Sequence, residues 1–120
     1  MTKKIIIVED EKPMLKALTI KLQNEGFEVA TSSDASEFFQ KVREEKFDLI
    51  LLDLMLPKVS GFEILEKLKN EGVETPVIVA SNLSQEEDKK RAIKMGAADY
   101  IVKSNTSLGE IVEKLKDFLK

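Results

Sequence analysis

The sequence predicts an α/β domain built on a doubly wound, five-stranded parallel sheet covered by five helices. Two observations carry that expectation. Short apolar runs alternate in order with longer amphipathic segments, the pattern of parallel strands joined by crossover helices. The runs at Ile5 to Val8 and Leu49 to Leu52 show no polar alternation, so they suit strands buried on both faces.

Ile5-Ile-Ile-Val8 is the first such strand. A helix over Lys12 to Glu25 has Pro13 in its first turn, Leu15, Leu18 and Leu22 along one face, and Gly26 as its stop. Phe27 to Thr31 reads as the second strand. Asp34 to Glu44 reads as a helix turning Phe38, Phe39 and Val42 inward, and Phe47 to Asp53 as the third strand. Ser60 with Glu63 forms a capping-box pair that opens a helix carrying Ile64, Leu65 and Leu68 and closed by Gly72. Pro76 precedes a strand over Val77 to Ala80. Ser84 with Glu87 predicts the cap of a further helix ending at Gly96, and Tyr100 to Val102 gives a short fifth strand. Ser107 with Glu110 caps the last helix, which carries Ile111, Val112, Leu115, Phe118 and Leu119. The helix over Gln85 to Met95 offers only Ala92, Ile93 and Met95 for packing, so it is expected to be the least firmly held.

At 120 residues, the chain is expected to form one domain spanning 1–120. With 42% hydrophobic and 34% charged residues it belongs to the globular class, and its net charge of -3 gives no clustered basic footprint for nucleic acid. The absence of cysteine excludes disulfides and thiolate chemistry, and the absence of histidine removes the commonest general base and zinc ligand. The first apolar run is too short for a secretory h-region of about 7–15 residues or a span of about 20. A cytoplasmic location with no membrane contact is therefore expected.

In an open α/β sheet, ligands bind beyond the carboxyl ends of the strands. The first strand runs into Glu9-Asp10-Glu11, the third ends on Asp53, the fourth opens onto Ser81-Asn82, and the fifth leads to Lys103-Ser104. Asp53 is the one polar residue of LILLDLMLP, and an unpaired buried carboxylate there would cost several kcal/mol or more. Glu9, Asp10 and Asp53 are expected to crowd together, and a hard divalent cation such as Mg2+ relieves that repulsion. Lys103 and Ser81 supply a positive charge and a hydroxyl suited to a phosphoryl group, with Asp53 placed as a nucleophile. Each position also admits a plain structural role. Glu9 to Glu11 can be a solvated acidic turn at a helix start, Asp53 a satisfied loop carboxylate, Ser81 a turn residue, and Lys103 a surface lysine. Their joint placement at successive strand ends favours the site.

The ordered set IVEDE, DLILLDLMLPKVSGFEIL, PVIVASN and GAADYIVK resembles the receiver domain of bacterial two-component response regulators, in the chemotaxis-type form, over essentially the whole chain. The resemblance implies a flavodoxin-like sheet of strand order 2-1-3-4-5. It implies that Asp53 is the phosphoacceptor, taking a phosphoryl group from a sensor histidine kinase or a histidine phosphotransfer protein. Asp10 matches the direct Mg2+ ligand, Glu9 the second acidic residue, and the backbone carbonyl of Met55 a further ligand. Lys103 matches the lysine that pairs with the phosphoryl group, while Ser81 and Tyr100 match the hydroxyl and aromatic switch positions. Pro57 and Gly61 match the proline within the phosphorylation loop and the glycine after it. Met55 and Leu83 match the positions that flank the hydrolytic water; both are apolar, so slow loss of phosphate is expected. Such a domain assists its own phosphorylation and dephosphorylation without being an enzyme in the ordinary sense.

Two departures from the family pattern stand out. Ser104 follows Lys103 where proline, often cis, is usual. A non-proline cis bond costs about 3 kcal/mol, so a trans bond is expected. Asn82 replaces a small residue and is expected to narrow access to Asp53. The resemblance places signalling on the face of the fourth helix, fifth strand and fifth helix, with Asp88, Arg91, Tyr100, Lys114 and Phe118, toward a protein partner and without direct nucleic-acid contact. The output is expected from a stand-alone receiver, or from one excised from a DNA-binding transcription factor. A scaffold that accepts no phosphate is a further alternative. A haloacid-dehalogenase phosphatase would need D-x-D after the first strand, a flavin protein a Ser/Thr-rich loop there, and a P-loop enzyme G-x-x-x-x-G-K; none is present.

Overall fold

The computed structural model describes residues 2–120. Its elements run β1 (Lys4–Val8), α1 (Lys12–Asn24), β2 (Glu28–Ser32), α2 (Ala35–Glu44), β3 (Leu49–Leu52), α3 (Gly61–Asn70), β4 (Val77–Ser81), α4 (Glu86–Lys94), β5 (Asp99–Val102) and α5 (Leu108–Phe118). A 3-10 turn, Lys103–Asn105, follows β5 directly. The strands form one parallel sheet in the order β2-β1-β3-β4-β5, as expected.

Unbroken apolar runs become buried strands because alternate side chains enter two separate cores. Ile6, Val8, Ile50, Leu52 and Val79 pack on one face with Phe38, Phe39, Ile64, Leu65 and Ala92 of α2, α3 and α4. Ile5, Ile7, Leu49, Leu51 and Ile78 pack on the other with Leu18, Leu22, Ile111 and Leu115 of α1 and α5. The register pairs Val8 with both Ser32 and Leu52, so the tips of the three strands β2, β1 and β3 lie level.

Several local expectations are corrected. β3 starts at Leu49 rather than Phe47, although the Asp48 amide still donates to the Lys4 carbonyl at 2.8 Å. β2 is displaced by one residue, to Glu28–Ser32. Ser60 caps α3 through the Phe62 amide at 3.1 Å, not through the reciprocal box with Glu63. Ser84 lies one residue ahead of the N-cap of α4, which is Gln85 with no side-chain cap, so the Ser84–Glu87 box does not form. The Ser107–Glu110 box does form, with bonds of 3.2 and 3.0 Å. The Lys103–Ser104 bond is trans. Seven of the nine residues of α4 are charged and Ala92 alone is buried, the weak anchoring that its sequence predicts. Among the described residues, no helix is long and apolar enough to cross a membrane.

Candidate functional site

The site is assembled by residues that sit one step beyond the paired strands while their backbones still join the sheet. The Glu9 amide donates to the Ser32 carbonyl at 3.1 Å, and the Asp53 amide donates to the Val8 carbonyl at 3.0 Å. Both carboxylates are thereby held at the rim, and each residue is only 3% exposed. Asp10 follows Glu9 on the exposed side. Glu9, Asp10 and Asp53 each place a carboxylate oxygen within 4.8 Å of the others.

Lys103 enters this group from the far edge of the sheet. Its Nζ donates to Glu9 Oε1 and Oε2 at 3.1 and 3.0 Å and to Asp53 Oδ2 at 3.1 Å. All three side chains are almost wholly buried. The second Asp53 oxygen, Oδ1, accepts from the Met55 amide at 3.1 Å, so each oxygen of the carboxylate has its own donor. Glu9 Oε1 also accepts from the Glu11 amide at 3.3 Å.

Burial and the neighbouring Asp53 carboxylate push Glu9 up to about 7, against the pull of Lys103. For Lys103 burial works downward, but Asp53 and Glu9 outweigh it and the ammonium is held above its ordinary value. Three carboxylates with one ammonium carry a formal charge of -2 when ionised. An all-oxygen donor set with that charge fits a hard divalent cation, and Glu9, Asp10 and Asp53 are the residues able to hold one.

Beside this cluster, Ser81 ends β4 with no exposed surface. Its Oγ accepts from the Leu83 amide at 3.3 Å, and the Tyr100 hydroxyl donates to the Leu83 carbonyl at 2.7 Å. Leu83 is thus held at both its amide and its carbonyl by the two residues expected to act as a switch. Burial, with Asp88 nearby, raises the Tyr100 phenol. Met55 is 54% exposed, Leu83 is partly buried, and Asn82 is exposed. Gly61 packs against the Asp53–Leu54 backbone, and its amide donates to the Leu54 carbonyl at 2.9 Å.

The structure therefore brings Glu9, Asp10, Asp53 and Lys103 together and links Ser81 to Tyr100 through Leu83. On the expected signalling face, Lys114 pairs with Asp99 at 3.4 Å, and Ile93 and Phe118 are exposed. Two features escaped the sequence reading. Lys103 is already engaged by Glu9, which its position opposite three carboxylates hinted at. Arg91 of α4 lies over the Phe62 ring of α3 at 4.0 Å, which no local pattern announces.

A parallel five-stranded sheet with a lysine-bridged acidic cluster at its carboxyl end defines a receiver of the two-component type. Residues 5–116 match the response regulator receiver domain, and the chain belongs to that family. It is 38% identical over 103 residues to the alkaline phosphatase synthesis transcriptional regulatory protein PhoP of Bacillus subtilis, covering 86% of this chain and 43% of that protein. It is 34% identical over 120 residues to the regulatory protein VanRc of Enterococcus gallinarum, covering 100% of this chain and 51% of that protein. The BeF3-activated receiver domain of DrrB superposes with a TM-score of 0.86 at 35% identity, covering 99% and 98% of the two chains. DrrB is a Thermotoga maritima OmpR/PhoB homologue. The chain spans about half the length of the curated relatives it matches. The chemotaxis-type assignment is not supported by these relatives, which are named as regulatory proteins and, for DrrB, as an OmpR/PhoB homologue.

Proposed function

We propose that residues 1–120 act as one receiver that takes a phosphoryl group onto Asp53 from the phosphohistidine of a sensor kinase or phosphotransfer protein. The observation that carries this reading is the Asp53 carboxylate, buried yet facing Lys103 Nζ at 3.1 Å within a cluster of three carboxylates. In the transfer an Asp53 oxygen bonds to phosphorus, the N–P bond of the donor breaks, and the electron pair leaves with the imidazole nitrogen. Asp10, Glu9, Asp53 and the Met55 carbonyl would hold Mg2+, which when bound would supply charge neutralisation for the transferring group.

The chain's own residues do the rest. The Met55 amide orients Asp53 through Oδ1. Lys103 leaves Oδ2 and pairs with the phosphoryl oxygens. The Ser81 hydroxyl gives up the Leu83 amide to bond the new group, and Tyr100, tied to the same peptide, transmits the change to the face of α4, β5 and α5. The apolar side chains of Met55 and Leu83 orient no water, which favours a long-lived phosphorylated state. Such a domain is a signalling element, and a cytoplasmic setting goes with a kinase donor.

The transcriptional regulators among its relatives, each about twice as long, favour a downstream role in controlling a DNA-binding output. Contact with that output is through protein rather than nucleic acid.

Incubation with acetyl phosphate and Mg2+ followed by intact-mass measurement tests the chemistry. The expected result is a gain of one phosphoryl group that vanishes in Asp53→Asn. No gain in the unaltered protein would leave the scaffold reading in its place.

A further inference from the structure

Helix α4 carries seven charged residues of nine and buries only Ala92, so its placement needs another tether. Its own ion pair joins Lys89 to Glu86 at 3.5 Å, while Arg91 is directed at the neighbouring helix. The Arg91 guanidinium carbon lies 4.0 Å from the centroid of the Phe62 ring, within the range of a cation–π stack. Phe62 is the second residue of α3, buried, with its amide held by Ser60 Oγ at 3.1 Å. Its neighbour Gly61 packs on the backbone of Asp53 and Leu54. A chain of direct contacts therefore joins α4 to the Asp53 loop without passing through Ser81, Leu83 or Tyr100.

We propose that Arg91 is a positioning residue that couples the Asp53 loop to α4 by stacking on Phe62, a second line of communication beside the Ser81–Tyr100 route. The inference rests on the reading of Asp53 as phosphoacceptor. Coupling of this kind is reciprocal: weakening the stack changes ligand affinity at the loop, and loading the loop changes the mobility of α4. A planar guanidinium stacks where an ammonium does so less well, so Arg91→Lys retains only part of the effect.

The test uses beryllofluoride as the phosphoryl probe at saturating Mg2+, with amide hydrogen exchange measured with and without it. Arg91→Ala and Phe62→Leu are each expected to shift half-saturation by about threefold or more. Without any ligand, each is expected to speed exchange in α4 and in residues 54–62 together. Arg91→Lys should fall between, the double variant should add little to either single one, and Lys90→Ala should match the unaltered protein. Half-saturation unchanged by Arg91→Ala, or faster exchange confined to α4, would overturn the coupling alone. Failure of the unaltered protein to bind beryllofluoride would overturn the phosphoacceptor reading, and the coupling with it.

Discussion

A side-chain carbon placed on Gly61 would lie 2.6 Å from the carbonyl oxygen of Asp53 and 2.5 Å from Leu54 Cα. Both are backbone atoms, so neither can turn aside. Gly61→Ala is expected to destabilise the domain by about 1–3 kcal/mol and to weaken Mg2+ binding, because the loop that carries Met55 must move. Urea unfolding and a Mg2+ titration check this; unchanged Mg2+ affinity would separate the glycine from the site.

Removing the ammonium from a buried, doubly paired position leaves two carboxylates without a counter-charge, each keeping one backbone amide donor. Lys103→Ala is expected to cost about 3 kcal/mol in chelator. It should also bind Mg2+ several-fold more tightly, because one positive charge is gone from the cluster. Denaturation with and without Mg2+ reads both effects, and equal Mg2+ affinity in the two proteins would contradict the second.

Glu9 imposes a pH dependence whose sign is opposite to that of most paired carboxylates. Its folded-state value is raised from 4.5 to about 7, so the folded protein holds that proton more tightly than the unfolded chain. The contribution is fully present below about 4.5 and is lost as pH rises through about 7. In chelator, stability should fall over that window relative to Glu9→Gln, by no more than about 3 kcal/mol. Superimposable unfolding midpoints for the two proteins from pH 4.5 to 7.5 would be inconsistent with the raised value.

The hydroxyl of Tyr100 holds the Leu83 carbonyl at 2.7 Å. Tyr100→Phe is expected to lower stability by about 1 kcal/mol and to speed amide exchange in residues 82–85 while leaving Mg2+ affinity unchanged. A loss of Mg2+ affinity would place Tyr100 in the metal site itself.

Met55 and Leu83, which the family pattern sets on either side of the hydrolytic water, carry no hydrogen-bonding side chain. Met55→Asn combined with Leu83→Glu is expected to speed loss of the phosphoryl group by about tenfold, equivalent to 1.4 kcal/mol in the barrier. The decay of the phosphorylated mass with time measures it, and an unaltered half-life would show that these side chains do not set the lifetime.

The sequence made the strand tips legible because Ile5 to Val8 and Leu49 to Leu52 feed two cores at once, as strands covered on both faces do. With the tips located, Glu9, Asp10, Asp53, Ser81 and Lys103 follow from what comes next in the chain. The Ser84 cap misled because a Ser-x-x-Glu pattern marks a helix start only to within a residue or so, and α4 begins where no side chain caps it. The Arg91–Phe62 stack joins two helices that are neighbours only after folding, so no periodicity foreshadows it. The Lys103–Glu9 bond similarly joins the last strand tip to the first.

In the order β2-β1-β3-β4-β5, the strand that delivers Lys103 is an outer one, two places from β3 and three from β1. One side chain thus laces shut the mouth of the sheet across four strands, its Nζ tied at once to Glu9 and to Asp53. Because the knot is buried, added salt does little to loosen it. Whatever draws the ammonium away cuts that lacing, while the ladder of β4 with β5 still keeps the outer strand in the sheet, so only the turn beyond Val102 gains slack.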